Sequence, residues 1–467
     1  MLGIASRIGM ICLLVLALVV SGCAVGPNYK RPAVNTPQSF RGAPAEATST
    51  ASFADQKWTE VFQDPELQKL IRAALEKNYD VRIAATRILQ AQAQLTITHS
   101  NELPSAAALA SANATGNSAS KFFGPFSTND TQLGLGFQWN LDFWGKYRRA
   151  TESARDQLLA NQWAQQEVNR TVVAGVASAY YTLREQDLQI EISRKTLASN
   201  QDSLKLTQLL SDHGRTSLLD VRQAEQLVYA ASAAIPNLEK QIQQQENVIS
   251  ILIGENPRSI NRGLELTAQI RVPEIPAGLP SSLLERRPDV REAEAQVMSA
   301  NAQIGVAKAA YFPSITLTGT GGVESVALSK LFTGPAGTWS FAGQLTQPLY
   351  AGSSIRGGVR LAEAQKEQAV LTYEQTIQQA FREVSDALIA YAKDQEFRKQ
   401  QELLTNSAQD ASRLSNLRYR GGAASYLEVL DAETRQYAAE LTLAQARLNE
   451  MLDYVQLYNA LGGGWQQ

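Results

Sequence analysis

The longest uninterrupted pattern in the chain is helical and occupies Val359–Arg420, 62 residues that include neither glycine nor proline. Its apolar positions recur at alternating steps of four and three, the spacing of a helix packed lengthwise against others. These positions are Ile377, Phe381, Val384, Leu388 and Tyr391. A second helical segment, Ser425–Leu461, follows the pair Gly421-Gly422. The pattern therefore predicts a long antiparallel helical hairpin.

This hairpin has a related copy 208 residues upstream. The segment 213–225 aligns with 421–433 without a gap, and the register holds as far as Gly254, which falls on Gly462. A constant register over such a length indicates a duplicated unit. The first long helix is predicted over Lys146–Asp212, with a heptad of apolar residues at Leu183, Ile190, Leu197 and Leu204. An ordinary coiled-coil spacer would show the same heptads, so this feature alone leaves both interpretations open.

Apolar and polar residues alternate elsewhere, which is the period of a β-strand. The clearest case is Thr131–Leu141, about ten residues that suffice for a tilted strand to cross a membrane. Weaker strands are predicted over Ser105–Gly116, Ser314–Gly321 and Trp339–Leu349. Two soluble hairpins would give the same alternation and remain the alternative at this point.

Both halves show the same order of elements: short helix, two strands, long helix, turn, short helix. Four strands are too few to close a membrane barrel, and lipid does not tolerate an open sheet edge. Several copies would have to pool their strands. The predicted fold class is mainly α with a membrane β part, built from a duplicated unit.

The amino terminus has the pattern of a secretory signal peptide, with Arg7 ahead of the apolar run Ile11–Val20. A run of ten residues is too short to span a bilayer. The sequence Val20-Ser21-Gly22-Cys23 resembles the lipobox of bacterial lipoproteins, which implies that Cys23 is acylated and becomes the first mature residue. An ordinary signal peptide with an accidental cysteine is the alternative. Ala24 follows instead of the aspartate that retains such proteins at the inner membrane, which implies an outer-membrane address.

Proline, alanine, serine and threonine dominate the residues after Cys23, which predicts an extended tether instead of a packed element. A helix is predicted after Asp64-Pro65, where Asp64 caps it and Pro65 takes its first position. The predicted domains are a signal peptide (1–22), a lipid-anchored tether (23–64), the first repeat (65–254), an inter-repeat linker with a small equatorial patch (255–281) and the second repeat (282–467).

Composition and motifs argue against several kinds of chemical site. The two cysteines, Cys12 and Cys23, fall in the signal and at its end, so neither a disulfide framework nor a cysteine metal site is expected. His99 and His213 lie in separate predicted helices, which argues against a zinc site. With 43 basic and 45 acidic residues, nothing predicts a nucleic-acid partner. No phosphate-binding glycine loop and no nucleophile–base set is present, so no enzymatic activity and no cofactor beyond the covalent lipid are expected.

Several motifs together resemble one known family. They are Leu283–Glu294, Ala300–Gly305, Ala309–Ser314, Leu427–Ala432 and Leu461–Trp465. With the lipobox and the repeat, they resemble the TolC-like outer-membrane efflux factors, in the lipoprotein branch that serves resistance-nodulation-division pumps. The resemblance covers essentially the whole mature chain.

The resemblance implies a homotrimer in the outer membrane of a Gram-negative bacterium, surrounded by outer-membrane lipids. Its twelve-stranded β-barrel, four strands per chain, would continue into a long periplasmic α-helical barrel. A periplasmic adaptor protein would join it to an inner-membrane pump that supplies the energy. The implied function is a passive exit duct for drugs or other small toxic compounds. Which compounds it exports would be decided by the pump.

Two other functions fit the patterns. A type I secretion conduit, which exports proteins, would share every feature above. A purely structural envelope lipoprotein is the third class, and the amphipathic strands argue against it.

The resemblance also assigns residues to the periplasmic entrance of the duct. Glu428 and Asp431 lie three residues apart and hence on one helix face, where the family's acidic pair narrows the entrance. Leu427 matches a neighbouring apolar ring, Asp220 is the first repeat's equivalent, and Tyr419 matches a tyrosine that helps keep the entrance shut. Acids that merely solvate a helix end are the alternative.

One departure from the family is plain. Ala424 stands where some members carry an arginine that latches the entrance, so that latch is not carried over. Arg215, Arg222 and Arg435 lie nearby and are the candidates to replace it.

The two glycine turns are predicted to meet the adaptor. Gly214 and Gly422 are expected to adopt positive φ angles, which glycine tolerates best. The predicted docking residues are Gly214, Arg215, Ser217, Leu219, Gly421, Gly422 and Ser425.

Overall fold

The computed structural model describes residues 24–42, 52–117, 126–269 and 276–465. The predicted signal peptide and Cys23 lie outside the described residues. The chain forms two compact units. Unit 1 comprises the described parts of Met1–Ala33, Arg87–Gln162 and Glu292–Glu374, and unit 2 those of Val34–Thr86, Trp163–Arg291 and Gln375–Gln467. Each unit combines three separate segments of the chain, so the units do not correspond to the two sequence repeats. The domain boundaries that the repeat predicts therefore remain predictions.

Helices dominate both units. In chain order they are α1 (Pro65–Lys77), α2 (Tyr79–Ser100), α3 (Lys146–Asp212), α4 (Leu218–Leu252), α5 (Pro280–Arg286), α6 (Pro288–Ala309), α7 (Ser354–Arg420) and α8 (Tyr426–Ala460). A single helical turn, Trp58–Val61, precedes them. No helix among the described residues is long and apolar enough to cross a membrane.

The two long helices have 67 residues each. The bounds predicted for α3 are confirmed. Helix α7 begins five residues before the predicted Val359 and includes Gly357 and Gly358. Glycine weakens a helix by only about 1 kcal/mol relative to alanine, so it does not by itself mark the helix end.

The first short helix, predicted as one segment up to Ser100, is broken at Asn78. The Asn78 side chain accepts a hydrogen bond from the N–H of Asp80 at 2.7 Å, which caps α2, and donates one to the Leu252 carbonyl at 2.8 Å. In the second repeat the buried Arg287 separates α5 from α6 and donates to the Ala460 carbonyl at 3.1 Å. In each repeat the residue at the break therefore holds the end of that repeat's last helix.

The predicted cap of α1 is confirmed. Asp64 is fully buried and accepts hydrogen bonds at 2.9 Å from the N–H of Glu66 and the hydroxyl of Tyr180. It also accepts one from the N–H of Leu264 in the linker at 2.9 Å. The linker contains one 3₁₀ turn, Leu266–Ala268, and residues 270–275 lie outside the described part of the chain.

Unit 1 contains an antiparallel sheet in the order β1-β2-β3-β4. The strands are β1 (Ser105–Asn117), β2 (Phe126–Leu141), β3 (Ser314–Ser325) and β4 (Gly337–Thr346). All four predicted strands are present. Strands β2 and β3 are longer than predicted, and β4 ends three residues before Leu349, since its partner β3 has its first residue, Ser314, opposite Thr346.

The register places apolar residues of all four strands on one face. Leu135 lies opposite Ala108 on one side and Gly321 on the other, and Gly321 lies opposite Trp339. This face is exposed in the single chain, with Trp339 82% and Phe341 71% accessible. The opposite face carries Gln132, Gln138, Asn140, Thr316, Thr318, Thr320 and Ser340. The sheet is therefore amphipathic, and five of the six alanines of β1 lie on its apolar face, whereas Ala107 and Leu109 lie on the other.

The prediction of an unpacked tether is wrong for residues 24–42. In unit 1 the Val25 N–H donates to the Trp144 carbonyl at 3.0 Å. In unit 2 Phe40 is buried, with its ring 6.3 Å from that of Phe381. The proline-rich composition correctly indicated an extended backbone, but single anchoring side chains, which composition does not reveal, dock it.

Candidate functional site

The first turn of unit 2 joins α3 to α4 and is held by its backbone and one cap. Gly214 has φ +67°, as predicted. The N–H of Gly214 donates to the Ser211 carbonyl at 2.9 Å, and that of Arg215 to Leu210 at 2.8 Å. This pattern closes the helix end.

Ser217 and Asp220 form a reciprocal capping box at the start of α4. The Ser217 hydroxyl accepts from the Asp220 N–H at 3.2 Å, and the Asp220 carboxylate accepts from the Ser217 N–H at 3.0 Å. Burial alone would raise the pKa of Asp220, but the hydrogen bonds from Thr216 and Ser217 outweigh it and lower that pKa below its ordinary value. Asp220 is therefore a cap residue and is ionised at neutral pH.

The second turn joins α7 to α8 with the same backbone geometry. Gly422 has φ +71°, also as predicted. The N–H of Gly422 donates to Tyr419 at 2.9 Å, and that of Ala423 to Arg418 at 2.8 Å. The Ser425 side chain, however, makes no cap hydrogen bond.

Arg418 explains the difference between the two turns. Its guanidinium forms an ion pair with Glu428 at 3.0 Å and donates to the Ala423 carbonyl at 3.3 Å. Glu428 is thereby drawn away from the capping position that Asp220 occupies in the first repeat. The residue equivalent to Arg418 in the first repeat is Leu210, which cannot form such a pair. Sequence reasoning missed Arg418, although the alignment of the two repeats at this position contained the signal.

The three arginines named as substitutes for the latch make different contacts. Arg435 pairs with Asp431 on the same helix at 2.9 Å. Arg222 pairs with Glu225 at 2.7 Å and not with the predicted entrance acids. Arg215 contributes its backbone N–H to the first turn.

A small apolar cluster in unit 2 packs the helices of the two turns side by side. Buried Ala224, Tyr426 and Val429 contact the partly buried Leu204, Tyr419 and Leu430. The rings of Tyr419 and Tyr426 meet edge to face at 5.4 Å. The buried Tyr419 hydroxyl has no hydrogen-bond partner within the described residues. Leu219 and Leu427 lie outside this cluster and are exposed.

Glu433 is a buried acid near the second turn to which sequence reasoning gave no role. It accepts hydrogen bonds from Asn416 at 3.0 Å and Ser203 at 3.2 Å. Burial raises its pKa, and these two hydrogen bonds and the charge of Arg420 partly offset that rise. Glu225, its equivalent in the first repeat, pairs with Arg222 instead.

The arrangement brings together acids, exposed leucines and two rigid turns. In the described residues no three His, Cys, Asp or Glu side chains are placed to hold a metal ion.

The chain is similar to a known family of outer membrane proteins. The family model described as "Outer membrane efflux protein" matches residues 70–255 and 279–463, one match for each repeat. The Toluene efflux pump outer membrane protein TtgC of Pseudomonas putida is 36% identical over 470 residues, covering 98% of this chain and 96% of TtgC. The "Probable outer membrane lipoprotein SilC" of Salmonella typhimurium is 33% identical over 452 residues, with 96% and 97% covered.

A solved structure agrees with these relatives. The crystal structure of the open state of the Neisseria gonorrhoeae MtrE outer membrane channel superposes with a TM-score of 0.87 at 31% identity. The match covers 95% of this chain and 99% of that one. On the duplicated unit, the amphipathic sheet and these matches, the chain belongs to the outer membrane efflux protein family.

Proposed function

We propose that this outer membrane efflux protein acts as a homotrimer, the exit duct of a tripartite pump. Three copies would pool their strands into a twelve-stranded barrel in the outer membrane, continued by the long helices in the periplasm. A periplasmic adaptor would join the duct to an inner-membrane pump of the resistance-nodulation-division type. The cargo would be drugs or other small toxic compounds, selected by the pump.

The observation that supports the trimer is the open sheet of unit 1. Within the described chain, β1 pairs only with β2 and β4 only with β3, so each has a free edge. An amphipathic sheet with free edges and an exposed apolar face has to complete itself with other copies before it can lie in lipid. Twelve strands fall within the range of known membrane barrels.

The test of this proposal combines assembly with export. Protein extracted from membranes in mild detergent should give a native mass of three mature chains, and deletion of the gene should sensitise cells to small toxic compounds. A monomer in membranes would contradict the trimer. Loss of secretion of a protein, with resistance unchanged, would favour a type I secretion conduit.

The covalent lipid on Cys23 belongs to the same proposal. The lipobox supports it, and the relative SilC carries the word lipoprotein in its name. Labelled palmitate should enter the wild-type protein and not the Cys23→Ala variant. Continued labelling of that variant would contradict acylation at Cys23. The barrel should keep the variant in the membrane.

The entrance of the duct would lie at the two turns. Glu428, Asp431 and Leu427 would line it, Asp220 and Tyr419 would stabilise it, and the exposed flanks of both turns would receive the adaptor. The cluster in which Ala224, from the helix after the first turn, packs with Tyr426 and Val429, from the helix after the second, supports this placement.

A further inference from the structure

The loop that joins β3 to β4 in unit 1, residues 326–336, is ordered by its own backbone. It contains two 3₁₀ turns, Leu328–Lys330 and Gly334–Ala336. The Leu331 N–H donates to the Leu328 carbonyl at 3.2 Å, and the Leu331 side chain is buried. A hydrogen-bonded loop with a buried leucine holds its remaining side chains in fixed positions.

Three large apolar side chains of this loop are exposed. Val326, Leu328 and Phe332 are 69%, 70% and 79% accessible. Large apolar side chains grouped on an ordered surface segment usually mark a contact surface. Lys330, between Leu328 and Phe332 in the chain, is also exposed and forms no ion pair within the described residues. The acid nearest to it in sequence, Glu324, lies on the polar face of the sheet.

The loop continues the apolar face of the sheet at the end remote from the helices. Along β2 the apolar positions run from Leu133 to Leu141, and the next row, Thr131 opposite Ser325, is polar and directly precedes the loop. The apolar rows cover roughly 27 Å of strand. Tilted by about 40°, they span roughly 20 Å, whereas the apolar band of membrane barrels is about 25 Å tall. The exposed apolar side chains of the loop therefore lie at the level where this band needs additional height.

We propose that the β3–β4 loop binds the phosphorylated glycolipid of the outer leaflet, with Leu328 and Phe332 among its acyl chains and Lys330 paired with a phosphate. A lysine is attracted to an anionic lipid surface, and apolar side chains gain by leaving water. Continuity with the apolar face of the sheet, together with the charge of Lys330, favours an anionic lipid as the occupant. The inference rests on the proposed trimeric barrel and adds a specific lipid site to it.

The first measurement is a titration of the full-length, detergent-extracted protein with rough lipopolysaccharide, followed by native mass spectrometry. The wild type should bind one glycolipid for each copy of the chain. Lys330→Gln should weaken this binding about fivefold, the usual contribution of one lysine at an anionic lipid surface. Leu328→Ser/Phe332→Ser should weaken it at least about tenfold, because both side chains lose their apolar contacts.

The matched control is Lys399→Gln, which removes an exposed lysine of α7 in unit 2 and should leave binding unchanged. Equal binding by the wild type and both loop variants would overturn the proposal. An equal loss in Lys399→Gln would also overturn it, because the attraction would then be a property of the overall charge.

The second measurement is the accessibility of a nitroxide attached to Phe332→Cys in vesicles of phosphatidylethanolamine and phosphatidylglycerol, with and without the glycolipid. The wild type, treated in the same way, gives any background from Cys23. With the glycolipid present, the label should be shielded from a water-soluble nickel complex and accessible to oxygen, and the shielding should be weaker without it. Full exposure to the nickel complex in both vesicles would overturn the proposal.

The same samples separate this inference from the barrel on which it rests. Strong spin–spin coupling between the labels of one assembly would show that a second copy covers the loop, and would overturn the lipid as occupant. Loss of glycolipid binding by a protein with the native mass of a trimer overturns the loop site alone. A monomer in membranes overturns the barrel, and the loop site with it.

Discussion

At the scale of single residues, both members of the acidic pair predicted at the entrance, Glu428 and Asp431, have an arginine beside them. Glu428 pairs with Arg418 at 3.0 Å and Asp431 with Arg435 at 2.9 Å. In a trimer the six carboxylates would then be accompanied by six guanidinium groups. Exposed ion pairs contribute only about 0–1 kcal/mol, which is comparable to the contribution of one side-chain cap, so Arg418 can redirect Glu428 while neither pair adds much to the stability of the protein.

We expect Glu428 and Asp431 to bind multivalent cations that enter from the periplasmic side and block the pore. In planar bilayers, Glu428→Gln/Asp431→Asn should weaken the block of single-channel current by a trivalent cation, because carboxylates attract it. Arg418→Leu should strengthen the block, because it leaves Glu428 uncompensated.

The control for these variants is Asp410→Asn, an exposed acid paired with Arg413 on the same helix α7. It should leave the block unchanged. Equal block in the wild type and the double variant would contradict the acidic entrance. It would support the alternative, in which Glu428 and Asp431 only solvate a helix end.

At the scale of elements, one sequence motif gives two different helix starts. Both turns read serine followed three residues later by an acid, Ser217–Asp220 and Ser425–Glu428. The first pair forms a capping box and the second does not, because Arg418 holds Glu428. The cost of removing the serine should therefore differ between the turns.

Ser217→Ala should destabilise the start of α4 by about 1 kcal/mol, the usual contribution of a serine cap. Ser425→Ala should have almost no effect on α8. Hydrogen exchange of the first-turn amides of each helix measures both. An equal loss of protection in the two variants would show that Ser425 also caps its helix.

A second element-scale feature is a pair of carboxyl groups between α7 and α8. Burial raises the pKa of Asp453 to about 7, with a further contribution from hydrogen-bonded Asp394 and from the charge of Glu450. Glu450 itself pairs with Arg398 at 2.6 Å. In the unfolded chain the carboxyl group of Asp453 has its ordinary pKa of 3.8.

The folded protein should therefore lose stability as the pH rises from about 4 to about 7, where the folded state binds a proton that the unfolded chain does not. Asp453→Asn should remove this pH-dependent loss of stability, because asparagine does not titrate. Its gain in Tm over the wild type should grow across that range and level off above it, whereas the exposed control Asp202→Asn should show no such trend. Thermal melts of the detergent-extracted protein from pH 4 to pH 8 measure the difference.

At the scale of the whole molecule, the two turns are proposed to meet one partner. Gly214→Val/Gly422→Val should impair export and cross-linking to the adaptor, since both glycines have positive φ angles that valine strains to adopt. The native trimer mass should be unchanged. Gly175→Val, which lies in α3 without a positive φ, is the control. Unchanged export and cross-linking would place the docking surface elsewhere.

The sequence by itself determined the features that depend on short-range periodicity. The bounds of α3, the Asp64 cap and the positive φ angles of Gly214 and Gly422 follow from local spacing. The duplicated unit follows from the constant offset of 208 residues between the two repeats. The strand β2 was visible because large apolar residues alternate with polar ones. Periodicity identifies the side of a helix or strand that packs against the rest of the protein, and in these elements the same side packs along the whole length.

Only the tertiary structure decided what depends on a distant partner. Ala108 of the alanine-rich β1 lies on the apolar face because the register sets it opposite Leu135, whereas alanine alone carries little strand signal. Arg418 overrides the cap of α8 across a turn, and Asn78 breaks a helix to reach Leu252. The amino-terminal segment docks because Gly26 meets Gly305, some 280 residues later in the chain. Contacts of this kind join residues that no local window contains, and their free energy outweighs the small local preferences that a sequence pattern reports.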